Sequence, residues 1–381
     1  MVKIANLVFN PFVNDSRVIK ESNSLARNGY HVEVIAHLDK NLQETQKQDS
    51  FTVKRFSYLD RTVTKSKMTK LKAYLIYLKE SVKYCKNFDI LHCNDLNTLP
   101  IGFIIKKFYN KKVKIVYDAH EYETELNGLH GIQKTITKKV EKFLINYADA
   151  VICVSNAIAD EYVKLYTIKK PALVLNTPPY TQIEKKDIFR ETFSIAKEKT
   201  IFLYQGGLAK GRGIEILLET FKSLKDDKSV IVFMGYGTLE ESIIKASEEF
   251  DNIYFHKAVS PDVLLEFTCS ADFGILFYEN NCLNHYYCSP NKMFEYLMAE
   301  IPVIVSNLYE MKKIVQEYNI GVVANENTKD GLQEAILEAT KLNEKALHVN
   351  IQKVKEIYNW EKQEQVLLKV YDELSVSCDI L

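Results

Sequence analysis

A chain of 381 residues is longer than one ordinary hydrophobic core supports, so two domains of about 150 to 200 residues are expected. Its 46% apolar content suits a packed globular protein, and its seven cysteines, odd in number and never spaced CxxC, argue against a disulfide framework or a zinc site and fit a reducing cytosol. Net charge is zero and no apolar run approaches the ~18 residues of a membrane span, so the expectation is a cytoplasmic protein, neither secreted nor integral.

In chain order, apolar runs of strand length alternate with segments of helical period. Strands are expected at KIANLVF, HVEVIA, FTVKRF, DILHC, KIVYDA, AVICVS and ALVLN, with helices near 16–28, 66–86, 97–109, 132–148 and 156–166. This repetition means a parallel, doubly wound sheet. Residues 1–180 hold 28 Lys and Arg against 18 Asp and Glu, leaving 22 against 32 for the rest. The densest basic run, Arg61 to Lys86, has eight basic residues and one acid. It reads either as a solvated lysine-rich helix or as a surface for an anionic partner, a phospholipid layer or a phosphate-bearing acceptor. No basic patch interleaved with aromatics points to nucleic acid. At the ends of two strands, DILHCNDLNTLP and KIVYDAHE place His92, Asp95, Asp118, His120 and Glu121 where polar groups can bond sugar hydroxyls or relay protons.

After the polar, proline-bearing NTPPYTQIEKKD the alternation restarts, with strands at TIFLYQG, VIVFMG, NIYFHKA, FGILFY, PVIVS and GVVA. The expected boundaries are 1–182 and 183–360, with a closing helix over 361–381 crossing back to the first domain. Ligands of such sheets bind beyond the carboxyl ends of the strands, and a cleft between the domains is the default site. The stretch YQGGLAKGRGIEILLETF turns from strand to helix through Gly206 and Gly207 and carries Lys210 and Arg212. Glycines admit backbone N–H groups close to a diphosphate, and the cations supply full charge. In SPNKMFEYLMAEIPVIVS, Ser289 reads as an N-cap and Pro290 as the first helical residue. Met293, Phe294, Leu297 and Met298 then share a buried face, with Asn291 and Glu295 along its border. Lys292, three before Glu295, leaves a surface ion pair and a cleft-facing role both open. HExxH, a nucleophile elbow and an Asp-x-Asp metal motif are missing from the sequence.

As a set, NDSRVIKESNSLARNGYHVEVIA, DILHCNDLNTLP, KIVYDAHE, ADAVICVSNAIAD, YQGGLAKGRGIEILLETF, SPNKMFEYLMAEIPVIVS and NWEKQEQVLLKVYDEL resemble the retaining GT-B glycosyltransferases, specifically glycosyltransferase family 4 of the bacterial polysaccharide-assembly type. The resemblance spans nearly the whole chain. It implies two tandem Rossmann-like domains and transfer from a UDP- or GDP-linked sugar to a glycan or lipid-linked acceptor, with retention and no obligatory metal or cofactor. It places the protein in the cytoplasm or peripherally at the inner face of the membrane. It assigns Glu295 to the ribose and Ser289, Asn291 and Lys292 to the diphosphate and donor sugar. Arg212 falls at the phosphate-binding cation with Lys210 beside it, Lys257 and Val259 lie in the base-contacting turn, and His120 contacts the transferred sugar. Asn10, Asp15 and Arg17 follow the first strand, where, as with His92 and Asp95, acceptor contacts are expected. Catalysis falls to His120, Arg212 and Lys292.

Two positions depart from the family pattern: Tyr287 stands where a glutamate is usual and Gly207 where an arginine is usual. With no acid at 287, front-face attack is the expected route, the leaving phosphate oxygen taking the acceptor's proton. The alternative is a non-catalytic GT-B accessory module that binds glycan or a partner glycosyltransferase.

Overall fold

The computed structural model describes residues 1–58, 66–224 and 226–376. Contacts divide the chain into two compact units: Met1–Val174 with Gln363–Leu381, and Leu175–Lys362. Arg61 and Lys65 of the basic run lie outside the described residues.

In the first unit, β1 (Lys3–Leu7), α1 (Ser16–Arg27), β2 (His31–Leu38), β3 (Thr45–Lys47), β4 (Thr52–Tyr58), α2 (Lys67–Cys85) and β5 (Ile90–Asn94) are followed by α3 (Asp95–Phe108), β6 (Lys114–Ala119), α4 (Gly131–Leu144), β7 (Ala150–Cys153), α5 (Asn156–Tyr166) and β8 (Ala172–Leu173). The sheet order is β3-β4-β2-β1-β5-β6-β7-β8, parallel except where β3 pairs antiparallel with β4. That edge strand was not expected: Thr45–Lys47 is three residues long and polar, too short to show a period. β1, β5 and β6 are mostly buried, as central strands covered on both faces must be. Asp15 caps α1 by accepting from Val18 N, and Ser155 caps α5 by accepting from Ile158 N.

The second unit holds α6 (Ile188–Phe193), β9 (Thr200–Gly207), α7 (Ile214–Ser223), β10 (Ser229–Tyr236), α8 (Glu240–Glu249), β11 (Ile253–Lys257), α9 (Leu264–Thr268) and β12 (Phe273–Leu276). It continues through α10 (Leu283–Tyr287), α11 (Asn291–Met298), β13 (Val303–Val305), α12 (Tyr309–Tyr318), β14 (Gly321–Val323), α13 (Lys329–Ala339) and α14 (Glu344–Ile357). Its parallel sheet has the order β11-β10-β9-β12-β13-β14. Phe202, Tyr204, Ile231, Phe233, Ile275 and Ile304 anchor the core, helped by the side chains of α7 and α13. The last helix, α15 (Trp360–Val376), starts in this unit and from Gln363 belongs to the first, where the Tyr371 hydroxyl and His92 Nδ1 share a hydrogen bond of 2.6 Å.

Candidate functional site

In the second unit, the register sets Gly206, Gly235 and Lys257 at one level across β9, β10 and β11, at the strands' carboxyl ends. β9 ends in Gly206–Gly207, and the chain returns through Lys210 and Arg212 to α7. At Gly207 a Cβ would lie 2.9 Å from Arg212 Nη1, and at Gly206 one would lie 3.8 Å from Lys292 Cε. The glycine turn, Arg212 and Lys292 are therefore one cluster. Gly207, the position without the usual arginine, is the space beside which the Arg212 guanidinium lies.

α11 begins at Asn291 with Pro290 as its cap residue, and no side chain caps it. This corrects the reading of Ser289 as N-cap and Pro290 as first helical residue: Pro290 has ψ 138°, still extended. Met293, Phe294, Leu297 and Met298 are buried as expected, and Lys292 is buried with them at 7% exposure. Lys292 Nζ sits 3.8 Å from the Tyr204 ring centroid and 5.3 Å from that of Tyr278, with no hydrogen-bond partner. Burial, and next the Arg212 charge, hold its ammonium well below the ordinary lysine range. No surface Lys292–Glu295 ion pair forms. Glu295 instead accepts from Gln205 Nε2 at 2.6 Å, and Gln205 Oε1 accepts from Thr268 Oγ1 at 2.8 Å. Gln205 and Tyr204 carried no signal in the sequence, because each is one more residue of an apolar strand until the sheet aims it at Glu295 or Lys292, and Tyr278, two residues beyond β12, carried none either.

The remaining donor-side candidates are spread around this cluster. Asn291 is exposed on the first turn of α11, and Ser289 is half-buried just before it. Lys210 is exposed in the loop, Lys257 is exposed at the end of β11, and Val259 is half-buried two residues beyond. Tyr287 ends α10 with its ring against Tyr286 (5.1 Å) and edge-on to Tyr309 (5.9 Å).

In the first unit, Asp118 is a fully buried hub at the end of β6, level with Asn94 of β5. It accepts from Arg17 Nε and Nη2 at 3.0 and 2.8 Å, and His92 Nε2 and His120 Nε2 each lie 3.3 Å from it. Burial alone would raise its pKa, but Arg17 and then His120 hold it well below the usual carboxylate range. Glu21 lies 3.1 Å from Arg17 Nε, and burial lifts its carboxyl to about 7. Glu21, His92 and Asp118 could offer ligand atoms within 4.8 Å of one another. The Arg17 guanidinium already stands against both carboxylates, so this donor set is matched to arginine rather than to a metal ion.

His120 bonds Asn94 Oδ1 at 2.9 Å, and its backbone N–H donates to Asp95 Oδ1 at 3.2 Å. Burial opposes its charge, but Asp95 and Asp118 outweigh it and raise the imidazole to about 10. Asp95 itself is held at φ 59°, a left-handed conformation uncommon outside glycine that aspartate tolerates better than most residues. Of the expected acceptor contacts in this group, Asp95 is half-buried. Arg17 and His92 are instead turned into the unit at 3% and 0% exposure, Arg17 donating also to Val174 O. Their polar atoms are engaged inside the unit, Arg17 on Asp118 and Val174 O and His92 on Asp118 and the Tyr371 hydroxyl. Asn10 donates to Asp15 Oδ2 and accepts from Phe12 N, so this pair shapes the turn that leads into α1.

Two family models match the chain: Glycosyltransferase Family 4 over residues 17–177 and Glycosyl transferases group 1 over residues 185–355. No curated protein matches it. Among solved structures, sucrose-phosphate synthase from Thermosynechococcus elongatus is similar at TM-score 0.82 and 15% identity, over 99% of this chain and 100% of that one. Anabaena HepE in complex with UDP and glucose follows at 0.74 and 12%, over 99% and 100%. The catalytic domain of starch synthase IV from Arabidopsis thaliana, bound to ADP and acarbose, gives 0.74 and 12%, over 99% of each.

Proposed function

We propose that this protein, which belongs to the GT-B glycosyltransferases, transfers a sugar from a UDP- or GDP-linked donor to a glycan or lipid-linked acceptor with retention of configuration, in the synthesis of cell-surface polysaccharide or glycoconjugate. The observation that carries the reading is the buried Lys292 ammonium, without a hydrogen-bond partner and grouped with Arg212 at the Gly206–Gly207 turn. An unpaired buried cation is costly, and a diphosphate is the ligand whose charge offsets that cost. HepE, which shares the fold, is known in complexes with UDP and with UDP-glucose, so a UDP-sugar is the first donor to test.

In this reading the ribose hydroxyls bond Glu295, whose carboxylate is oriented by Gln205. Ser289 and Asn291 bring the start of α11 to the diphosphate, with Lys210 adding charge and Lys257 and Val259 flanking the base. As the bond from sugar to phosphate lengthens, negative charge grows on the leaving diphosphate, and Arg212 and Lys292 stabilise it more than they stabilise the ground state. The acceptor hydroxyl attacks from the same face and the leaving phosphate oxygen takes its proton. His120, cationic over the working pH range, orients the transferred sugar and does not act as nucleophile. Asp95, with the turn of Asn10 and Asp15, serves the acceptor. No cofactor enters these steps.

Calorimetric titration with UDP-, GDP- and ADP-sugars, together with NMR of the product anomer, tests the proposal. One nucleotide is expected to bind, more weakly by about tenfold or more in Glu295→Ala and in Arg212→Ala, because each removes a charge-assisted contact. No binding of any nucleotide sinks the proposal. Donor binding without turnover for any acceptor favours the accessory-module alternative, and an inverted product removes the retaining route.

A further inference from the structure

Beside the Arg212–Lys292 cluster stands an imidazole that the transfer steps above leave unassigned. His285 sits at the centre of α10, a five-residue helix set between two cysteines. Its backbone is held at both ends: the N–H donates to Cys282 Sγ at 3.4 Å, and the carbonyl accepts from Cys288 Sγ at 3.2 Å. The segment before α10 is locked to the loop that carries Arg212. Glu279 N donates to Gly211 O at 3.1 Å, and a Cβ on Gly213 would lie 1.7 Å from Phe277 O, so the two backbones touch with no side chain between them. Glu279 O faces His285 Nδ1 at 3.2 Å, and the imidazole stands edge-on to Tyr278 with centroids 5.2 Å apart. Tyr278 is also the ring whose centroid lies 5.3 Å from Lys292 Nζ. His285 is therefore one ring away from Lys292 and two hydrogen bonds away from the Arg212 loop.

These contacts fix where the imidazole carries its hydrogen. A backbone carbonyl only accepts, so Nδ1 is the donor and Nε2 of the neutral ring keeps a lone pair. Burial, and then the Arg212 charge, hold the ring below its ordinary 6.5 against the opposing pull of Glu279, so it is neutral near neutral pH. Among the described residues no protein group bonds Nε2, and the atom is not sealed from solvent. Tyr287 does not share this direction. Positions i and i+2 of a helix diverge by about 200°, and the Tyr287 ring packs on Tyr309 of α12. So α10 offers no carboxylate at 287, where a glutamate is usual, and one neutral acceptor at 285.

We infer that His285 Nε2 accepts a hydrogen bond from a hydroxyl of the donor's sugar and helps the site tell a sugar nucleotide from the bare nucleotide. The inference rests on the reading of Arg212 and Lys292 as the diphosphate site. A diphosphate presents acceptor oxygens, which repel a lone pair, so Nε2 is complemented only by an O–H or N–H elsewhere on the same ligand. In a nucleotide sugar the hydroxyls nearest the diphosphate belong to the ribose and to the sugar, and the ribose is assigned to Glu295. A neutral nitrogen also suits its neighbours. A second carboxylate here would compete with the diphosphate for Arg212 and Lys292, whereas an imidazole accepts a hydrogen bond without drawing on their charge. A site built to bond a hydroxyl discriminates against a ligand that lacks it, because its own polar atom is then left unpaired.

The test is calorimetric titration of the full chain with two probe pairs, UDP with UDP-glucose and GDP with GDP-mannose, in the wild type, His285→Phe and His285→Gln. His285→Phe keeps a ring against Tyr278 and removes the acceptor. In the pair that binds, it is expected to raise the Kd of the sugar nucleotide about fivefold or more and that of the bare nucleotide by less than about twofold. His285→Gln supplies an acceptor oxygen and is expected to recover part of the difference. A second readout needs only the wild type to be bound: 15N spectra of labelled histidine, with the His285 signals assigned by their loss in either variant. The ring is expected in the neutral Nδ1–H form, and its Nε2 resonance is expected to move upfield with the sugar nucleotide but not with the bare nucleotide. An equal loss for both ligands in His285→Phe, or an Nε2 resonance that the sugar leaves in place, overturns the inference while the diphosphate site stands. No binding by either pair removes that site and the inference with it.

Discussion

Lys292 and His120, the two groups to which the proposed transfer gives most, stand in opposite electrostatic settings. Lys292 is destabilised as a cation by burial and by Arg212, so an anion placed beside it would restore its charge. Lys292→Met keeps the bulk over Tyr204 and removes the charge; it is expected to melt at or above the wild-type temperature while kcat falls about a hundredfold or more. At Gly207 the prediction is steric: Gly207→Ala puts a Cβ 2.9 Å from Arg212 Nη1, so the guanidinium must move, and donor Kd rises with little change in melting temperature. For His120 the pH dependence has a definite sign. The folded protein holds this proton up to about 10 against the ordinary value of 6.5, so its stabilising contribution is complete below 6.5 and is lost as pH rises through about 10. Melting temperature is expected to fall across that window and to fall less in His120→Gln. A flat profile for the wild type would count against the Asp95–Asp118–His120 coupling.

At the scale of elements, α11 and α15 show how position is enforced. α11 packs on β12 where Gly274 has no side chain, since a Cβ there would lie 2.4 Å from the Tyr296 ring. Tyr296 in turn donates to Leu203 O and accepts from Gln205 N, both at 3.0 Å. Gly274→Ala is therefore expected to destabilise by about 1 to 3 kcal/mol in chemical denaturation and to weaken donor binding through Gln205. In α15, Tyr371→Phe leaves buried His92 Nδ1 without its 2.6 Å partner, a loss of about 1 to 3 kcal/mol read in the same experiment. Most elements were legible because their periods are strong: the continuous apolar run at Ser229–Tyr236 and the four-residue buried set of α11 can be read without coordinates. β3 was not legible, and the exact start of α11 was misread because Ser-Pro satisfies the usual start signal while Pro290 stays extended.

For the molecule as a whole, two separate cores predict two unfolding transitions in scanning calorimetry. Ligand stabilises only what it binds, so UDP is expected to raise the transition of Leu175–Lys362 and leave the other in place. A single transition that shifts as a unit would show the cores to be cooperative. The sequence by itself determined two α/β units, the glycine turn, the cationic loop and the neighbourhood of Glu295, because local period and glycine placement are properties of contiguous residues. Only the tertiary structure decided that Lys292 is buried over Tyr204, that Gln205 orients Glu295, and that Arg17, Glu21, His92, His120 and Tyr371 converge around Asp118. It likewise fixed the hydrogen of His285 on Nδ1 and left Nε2 open. These outcomes depend on which side chains separate strands bring within a few ångströms, where desolvation and charge set their state, and no local pattern encodes that.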